Sequence, residues 1–431
     1  MRLNRPVLAV AVLAGSLSLA AEEWPHYRGP HHNGTSPEGV AAAWPGSGPH
    51  RVWTAPTKNG FSSFAIADGR AFTLVTRDES GAPFEAVVAF DAETGRELWH
   101  QRLSVARYGH DGGNAGTPDN SGGDGPRSTP TVLGDRVYVY DGRFVLSCYD
   151  AATGRRHWQR DITREHNGPG LKWGNASSPV IEGKVILVAG GGRGEALLGI
   201  DADSGKTLWK TADDEPTHAT PVLTTIHGRR QVIFFTQTGL VSLDPADGTE
   251  LWRQDYRFSV STAASPVVAG DIVYCSAGYG VGAGAYRISK EGDRFTVKEL
   301  WRKPGQLENH WSTPVHHDGH LYGLYGFRSY GTAPLKCIEL ATGEEKWSQD
   351  GFGQGNVILA QGQLIVLGDA GQLVLVDADP STYREKARAD VLEGKCWSTP
   401  ALANGRLYVR STVEGACLDL TRRVALLSNP Q

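Results

Sequence analysis

One phrase recurs along this chain and restricts its fold more than any other feature. It reads FDAETGRELW ending at Trp99, YDAATGRRHW at Trp158, IDADSGKTLW at Trp209 and LDPADGTELW at Trp252. It returns loosely as IELATGEEKW at Trp347, and only its ending survives in KELW at Trp301. Successive tryptophans lie 59, 51, 43, 49 and 46 residues apart, a period in the forties with insertions. Self-similarity at that period marks a chain built from stacked supersecondary units. A second phrase precedes each copy. It starts RSTPTVLGDRVYVY at Arg127, ASSPVIEGKVILV at Ala176, HATPV at His218, AASPVVAGDIVYC at Ala263, WSTPVHHDGHLYG at Trp311 and WSTPALANGRLYV at Trp397. FSSFAIADGRAFTL from Phe61 and GNVILAQGQLIVL from Gly355 are divergent copies, which brings the units to eight.

Each unit reads as a [ST]-P strand, a Gly/Asp turn, a Val- and Tyr-rich strand, a variable hairpin, a third strand ending in Asp, an Asp-x-x-[TS]-Gly turn and a Trp strand. Four antiparallel strands per unit predict an all-β, eight-bladed β-propeller. In the turn, Gly95, Gly154, Gly205, Gly248 and Gly343 supply positive φ, and the Asp and Thr side chains bond the turn backbone. The tryptophans that follow (Trp99, Trp158, Trp209, Trp252, Trp301 and Trp347) are expected to cover the junction with the next blade. The copy from Trp397 stops after its third strand at Asp419. The missing strand sits at the other end of the chain, where RVWTAP around Trp53 resembles LWRKP at residues 300–304. A ring closed by this N-terminal strand leaves no open sheet edge.

Residues 1–20 read as a signal peptide: Arg2 and Arg5, an apolar run from Val7 to Leu19, then small residues up to Ala20. No Cys follows for lipid attachment, and no later segment is long and apolar enough to span a membrane. The expected organisation is signal peptide 1–20, an N-terminal strap 21–50 and the propeller 51–431, in a periplasmic or secreted protein. With 43 Lys plus Arg against 47 Asp plus Glu, the chain offers no basic field to nucleic acid. Five cysteines cannot all pair. Cys148, Cys337 and Cys417 share one repeat position, where Ala89, Gly199 and Ser242 stand in other blades. Equivalent positions in separate blades are too far apart to bridge, so buried free thiols are expected.

The Ala-x-Asp-x-x-Thr-Gly-x-x-x-Trp phrase resembles the tryptophan-docking repeat of the pyrroloquinoline quinone propeller superfamily over roughly residues 51–423. Two groups share it. One comprises quinoprotein dehydrogenases, which hold the quinone and calcium in the central funnel. The other is similar to the lipoprotein propeller of the outer-membrane barrel-assembly machinery, which binds proteins. The block WPHYRGPHHNG from Trp24 and WPGSGPHRVW from Trp44 is similar to the opening of exported quinone-like repeat proteins. Its expected role is to pack Trp24 and Trp44 onto a blade while Arg28 bonds neighbouring backbone. A quinoprotein needs a Glu/Asn/Asp set around calcium, an Asp base and aromatic walls. The resemblance commonly adds a disulfide between adjacent cysteines, absent here, as is a Cys-x-x-Cys-His haem motif.

The residue before each [ST]-[ST]-P starts the innermost strand. Those positions are Phe61, Arg127, Ala176, His218, Ala263, Trp311, Gly355 and Trp397, with Asn175 and His310 one residue earlier. From them the expected funnel-mouth binding set is Phe61, Arg127, Asn175, His218, His310, Trp311 and Trp397. No catalytic or metal-ligating residue is assigned. Two connections to this mouth are long, 104–126 and 163–175, and the first carries Asp111, Asn114, Asp119, Asn120 and Asp124 without EF-hand spacing. His316-His317-x-x-His320 spans a hairpin and reads as a solvated turn. Gly278-Tyr-Gly-Val-Gly-Ala283 mimics a dinucleotide fingerprint but lies between strands with no helix to hold a phosphate. The expected function is a non-enzymatic, cofactor-free exported propeller that binds a protein or other macromolecular partner through its funnel face and long loops, in a scaffold or assembly role in the cell envelope. The alternative is a quinone-dependent alcohol or sugar dehydrogenase with pyrroloquinoline quinone and calcium in the funnel.

Overall fold

The computed structural model describes residues 22–41, 43–109, 121–260, 262–326 and 333–421. The expected signal peptide, with Asp111, Asn114, Asp119 and Asn120, lies outside them. Eight four-stranded antiparallel sheets follow one another in chain order, an eight-bladed propeller as the repeat predicts. The first blade is typical: Ala65–Ala67, Arg70–Glu79, Ala82–Asp91 and Glu97–Val105. The innermost strands touch those of neighbouring blades. In the eighth blade His50–Pro56 pairs antiparallel with Glu414–Asp419, so the N-terminal strand closes the ring.

The ladder registers explain why the fourth strand carries tryptophan. Just before each Trp the pairing slips by one residue, a bulge that recurs in every blade. A bulge bends the strand and re-aims a side chain. The residue opposite the Trp is always small: Ala89, Cys148, Gly199, Ser242, Ala285, Cys337 and Cys417. A Cβ on Gly199 would sit 2.3 Å from the Trp209 ring. Blade seven reverses the volumes, with Leu375 opposite Ala387. Cys148, Cys337 and Cys417 are therefore the small residues facing a tryptophan, and all five cysteines are free and buried.

From this position each indole reaches into the next blade. Trp53, Trp99, Trp158, Trp209 and Trp301 donate Nε1–H to the carbonyls of Ala92, Ala151, Ala202, Pro245 and Leu340 at 2.8–3.1 Å. Their rings lie on Gly95, Gly154, Gly205, Gly248 and Gly343, where an added Cβ would come within 2.5–2.8 Å. Those glycines also hold φ between 70° and 75°, so two independent constraints exclude a side chain there. In the turn itself Asp91 Oδ1 accepts from the backbone and hydroxyl of Thr94 at 2.9 and 2.8 Å. Trp347 bonds Asp379 O at 2.8 Å in a blade whose turn carries no such glycine. Trp252 also covers its junction, in one core cluster with Val273, Cys275 and Tyr286 of blade five, but its indole bonds differently. Blade five has a long hairpin where the turn would be, and its indole instead donates to Gln231 Oε1 at 2.6 Å within its own blade.

The [ST]-[ST]-P phrase has an equally local cause. Its second hydroxyl accepts from backbone N–H of the adjacent blade: Thr399 to Ser63, Ser63 to Thr129, Thr129 to Ser178, Ser178 to Thr220 and Ser265 to Thr313, all at 2.8–3.1 Å. These bonds form a belt around the axis. Blade seven lacks the phrase, and there the Asn356 amide donates to Trp397 O at 2.7 Å instead.

The strap crosses one end of the ring. Trp24 bridges to Ile66, and Val132 N donates to Pro25 O at 2.8 Å, tying it to the first two blades. On the far side Arg28 donates to Thr313 O and Pro314 O, both at 2.9 Å, and to Asn33 O at 2.7 Å. Thr35–Ser36 then adds a parallel strand to Asn356–Ala360 of blade seven. Glu38 accepts from Asn404 N at 2.8 Å, and Trp44 is buried beside the eighth blade. Trp24, Trp44 and Arg28 thus play the packing and backbone-bonding parts expected of them.

Candidate functional site: the central funnel

The innermost strands converge on a cavity of about 320 Å³. Its wall includes Phe61, Arg127, Ala176, His218, Ala263, His310, Trp311 and Trp397, so one register position in successive blades does line the axis. Two of the expected positions do not. Asn175 is buried behind the wall, where its amide donates to Tyr140 O and Ser177 O and its Oδ1 accepts from Ser177 N. It shapes the entry into the blade-three strand. In blade seven the turn at Gly362 and the Ile358–Ile365 pair match Gly319 and Val315–Tyr322 of blade six. That registers Gln354, not Gly355, with Trp311. Gln354 does not line the cavity, and its carbonyl accepts from Trp311 Nε1 at 2.8 Å.

With nothing from blade seven between them, Trp311 and Trp397 stack at 4.1 Å. Phe61 continues the arc 5.0 Å from Trp397, and His310 and Tyr279 extend it at the other end, 5.1 Å from Trp311 and 5.2 Å from His310. Lys395 Nζ lies 4.6 Å over the Trp397 ring. The opposite wall is small or polar: Ala176, Thr220, Ala263, His218 and Arg127. Trp173 stands 6.2 Å from His218 at the mouth, on the 163–175 connection. Tyr27 of the strap lines the cavity too, and Ser121 and Gly122 come from the other long connection. Tyr27 and Trp173 lie outside the repeat and Tyr279 in the variable hairpin of blade five, so register gave no signal for them.

Charge in the funnel is set by burial. Arg127 donates to the carbonyls of Gly125, at 2.8 Å, and Gly123, and its guanidinium lies 5.6 and 5.5 Å from the Phe61 and Tyr108 rings. Desolvation lowers its pKa only to about 10, so it stays cationic at neutral pH. Burial drives His218 down to about 3 and His310 to about 4, so both imidazoles are neutral there. Behind the wall Glu85 accepts from Tyr108 Oη and, at 3.0 Å, from Gly142 N. Burial, then the neighbouring Asp141, raise its pKa to about 8. At neutral pH Glu85 is therefore mostly an uncharged acid, and Asp124 is the other carboxyl whose field acts on Arg127.

A calcium–quinone site does not fit this wall. Calcium takes six to eight oxygens, chiefly from carboxylates and amides, and quinone chemistry needs a carboxylate base. Among the described residues no Asp, Glu, Asn or Gln lines the cavity, and no cluster of three His, Cys, Asp or Glu is placed to hold a metal. The His316–His320 segment is a surface hairpin whose imidazoles bond its own turn, as at His316 Nε2 with Gly319 N, 3.2 Å. No helix among the described residues is long and apolar enough to cross a membrane.

Residues 83–349 match the family model described as outer membrane protein assembly factor BamB. The chain is similar to the protein of that name from Burkholderia pseudomallei (strain K96243), 24% identical over 303 residues, covering 68% of this chain and 73% of that one. It is also similar to quinohemoprotein alcohol dehydrogenase ADH IIB of Pseudomonas putida, 34% identical over 134 residues. That match covers 29% of this chain and spans only 17% of the dehydrogenase. The quinohemoprotein alcohol dehydrogenase structure from Comamonas testosteroni superposes with a TM-score of 0.65 at 12% identity, over 95% of this chain and 82% of that one, a likeness of fold.

Proposed function

The chain belongs to the outer membrane protein assembly factor BamB family, and from that premise we propose that it is a non-catalytic propeller of the cell envelope that binds a protein partner through its funnel and long mouth loops. The observation that carries this reading is the composition of the funnel wall. An aromatic arc joined to an arginine supplies the residue types that dominate protein interfaces. Periplasmic or outer-membrane-associated residence, after removal of residues 1–20, belongs to the same proposal, as does participation in barrel assembly.

The dehydrogenase reading draws on the Pseudomonas putida relative, but among the described residues no oxygen ligand set and no carboxylate base of the kind it needs lines the wall. The two readings separate in a titration of the purified protein with pyrroloquinoline quinone, with and without calcium, followed by absorbance and by dye-linked alcohol oxidation. The proposal predicts no calcium-dependent saturable uptake and no turnover. Saturable uptake with turnover would overturn it.

A further inference from the structure

Resting on that partner-binding reading, we infer that the funnel receives the C-terminal end of a partner polypeptide, its terminal carboxylate on Arg127 and a flat apolar last side chain against the Phe61–Trp397–Trp311 arc. Three observations carry this.

The first is shape. The strap spans from the first two blades to blades six and seven, and its Tyr27 lines the cavity. The channel is therefore blocked on the strap side, and a polypeptide cannot thread through it. The volume of about 320 Å³ lies at the low end of the roughly 300–1,000 Å³ of small-ligand sites. A blind space of that size suits a chain end and not a folded loop, which must bring two strands of backbone through the same mouth.

The second is charge. A guanidinium has five N–H donors, and Arg127 commits donors on two nitrogens to Gly123 and Gly125 carbonyls. No carboxylate lines the cavity among the described residues. Two carboxyls act on Arg127: Glu85, which sits behind the wall with its own proton largely retained, and Asp124, which accepts from Tyr108 N at 3.0 Å and does not line the cavity.

The third is the wall itself. Trp311 and Trp397 stack at 4.1 Å, Phe61 lies 5.0 Å from Trp397, and the Arg127 guanidinium stands 5.6 Å from the Phe61 ring, so a flat apolar face adjoins the cation. The site thus offers a cation beside apolar walls, the complement of a carboxylate next to a flat apolar group. Capture of a chain-terminal carboxylate is an established mode of peptide recognition on other scaffolds.

The test uses the full mature protein and fluorescence anisotropy of an N-terminally labelled hexapeptide ending in phenylalanine, as the free acid and as the C-terminal amide. The free acid should bind saturably and the amide at least tenfold more weakly. Arg127→Met should bring the acid down to the amide, Arg127→Lys should keep part of the preference, and Trp397→Ala should weaken acid and amide alike by removing part of the aromatic wall. Circular dichroism checks the fold of each, and Arg127→Lys carries the acid-against-amide comparison alone if Arg127→Met does not fold. Equal binding of acid and amide, no saturable binding of either, or 3-phenylpropionate matching the peptide would each overturn the inference. If these fail while the quinone titration stays negative and mouth cross-linking (Discussion) still captures a partner, only the chain-end inference falls. Quinone uptake overturns both.

Discussion

Gly205 shows how much a single position carries. Its φ of +71° and the Trp158 ring 2.7 Å from a would-be Cβ are separate penalties. Gly205→Ala should cost on the order of 2–4 kcal/mol in urea unfolding, combining left-handed strain with overpacking. Gly183→Ala, at φ +58° with open space around it, isolates the backbone share at about 1–2 kcal/mol. The Trp-to-small pairing makes a second prediction. Ala387→Trp should destabilise by about 1–3 kcal/mol opposite Leu375, and Leu375→Ala added to it should recover part of that loss in a double-mutant cycle. Additive losses would mean that volume is not what couples the two strands. Glu85 sets a pH dependence. Its folded pKa, about 8, lies above the unfolded 4.5, so the folded state holds the extra proton in between, and stability from this group falls as pH rises from about 4.5 to 8. Glu85→Gln, an isostere of the protonated acid, should show a flatter Tm-against-pH curve across that window, with its advantage greatest at pH 8.

The strap is the element whose stability should respond to acid. His26 and His32 stack at 4.1 Å within it. Burial lowers His26 to about 4 and pushes His32 well below its usual value, with His26, Arg230 and His31 adding repulsion on His32. Both folded pKa values lie under the unfolded 6.5, so the unfolded state binds more protons and the strap loses stability as pH falls from 6.5 toward 4. Hydrogen exchange of residues 24–34 should accelerate between pH 6.5 and 4.5 before that of the blade strands, and His26→Phe with His32→Phe should remove the change. Uniform acceleration across all blades would contradict an element-level origin. The blades were legible in sequence because each obeys one rule of packing repeated in register: a bulged Trp, a small residue opposite, a glycine across the junction. The strap was legible only in its packing residues, since Trp24, Trp44 and Arg28 are types that demand burial or carbonyls. Its path across the axis depends on contacts nearly three hundred residues distant, as between Arg28 and Thr313, which no local pattern encodes.

At the scale of the whole molecule, ring closure by Trp53's strand and the belt of hydroxyls hold eight small sheets as one body around the funnel. The funnel was partly legible for the same reason as the blades: register placed Arg127, His218, Trp311 and Trp397 on the axis. It misplaced Asn175, whose side chain turns into its own blade, and read Gly355 where Gln354 stands, because blade seven lacks the Ser-Thr-Pro anchor that fixes the count. It missed Tyr27 and Trp173, which arrive from segments outside the repeat, and Tyr279, which arrives from the variable hairpin of blade five. The claim that this end of the molecule meets a polypeptide is tested most directly by a photo-activatable cross-linker at Trp173 on the mouth, compared with one at Asn404 beside the strap, in cells of the native host. A discrete protein adduct from position 173, and none from position 404, is the result expected. No adduct from 173, or the same adducts from both positions, would contradict partner binding through the funnel.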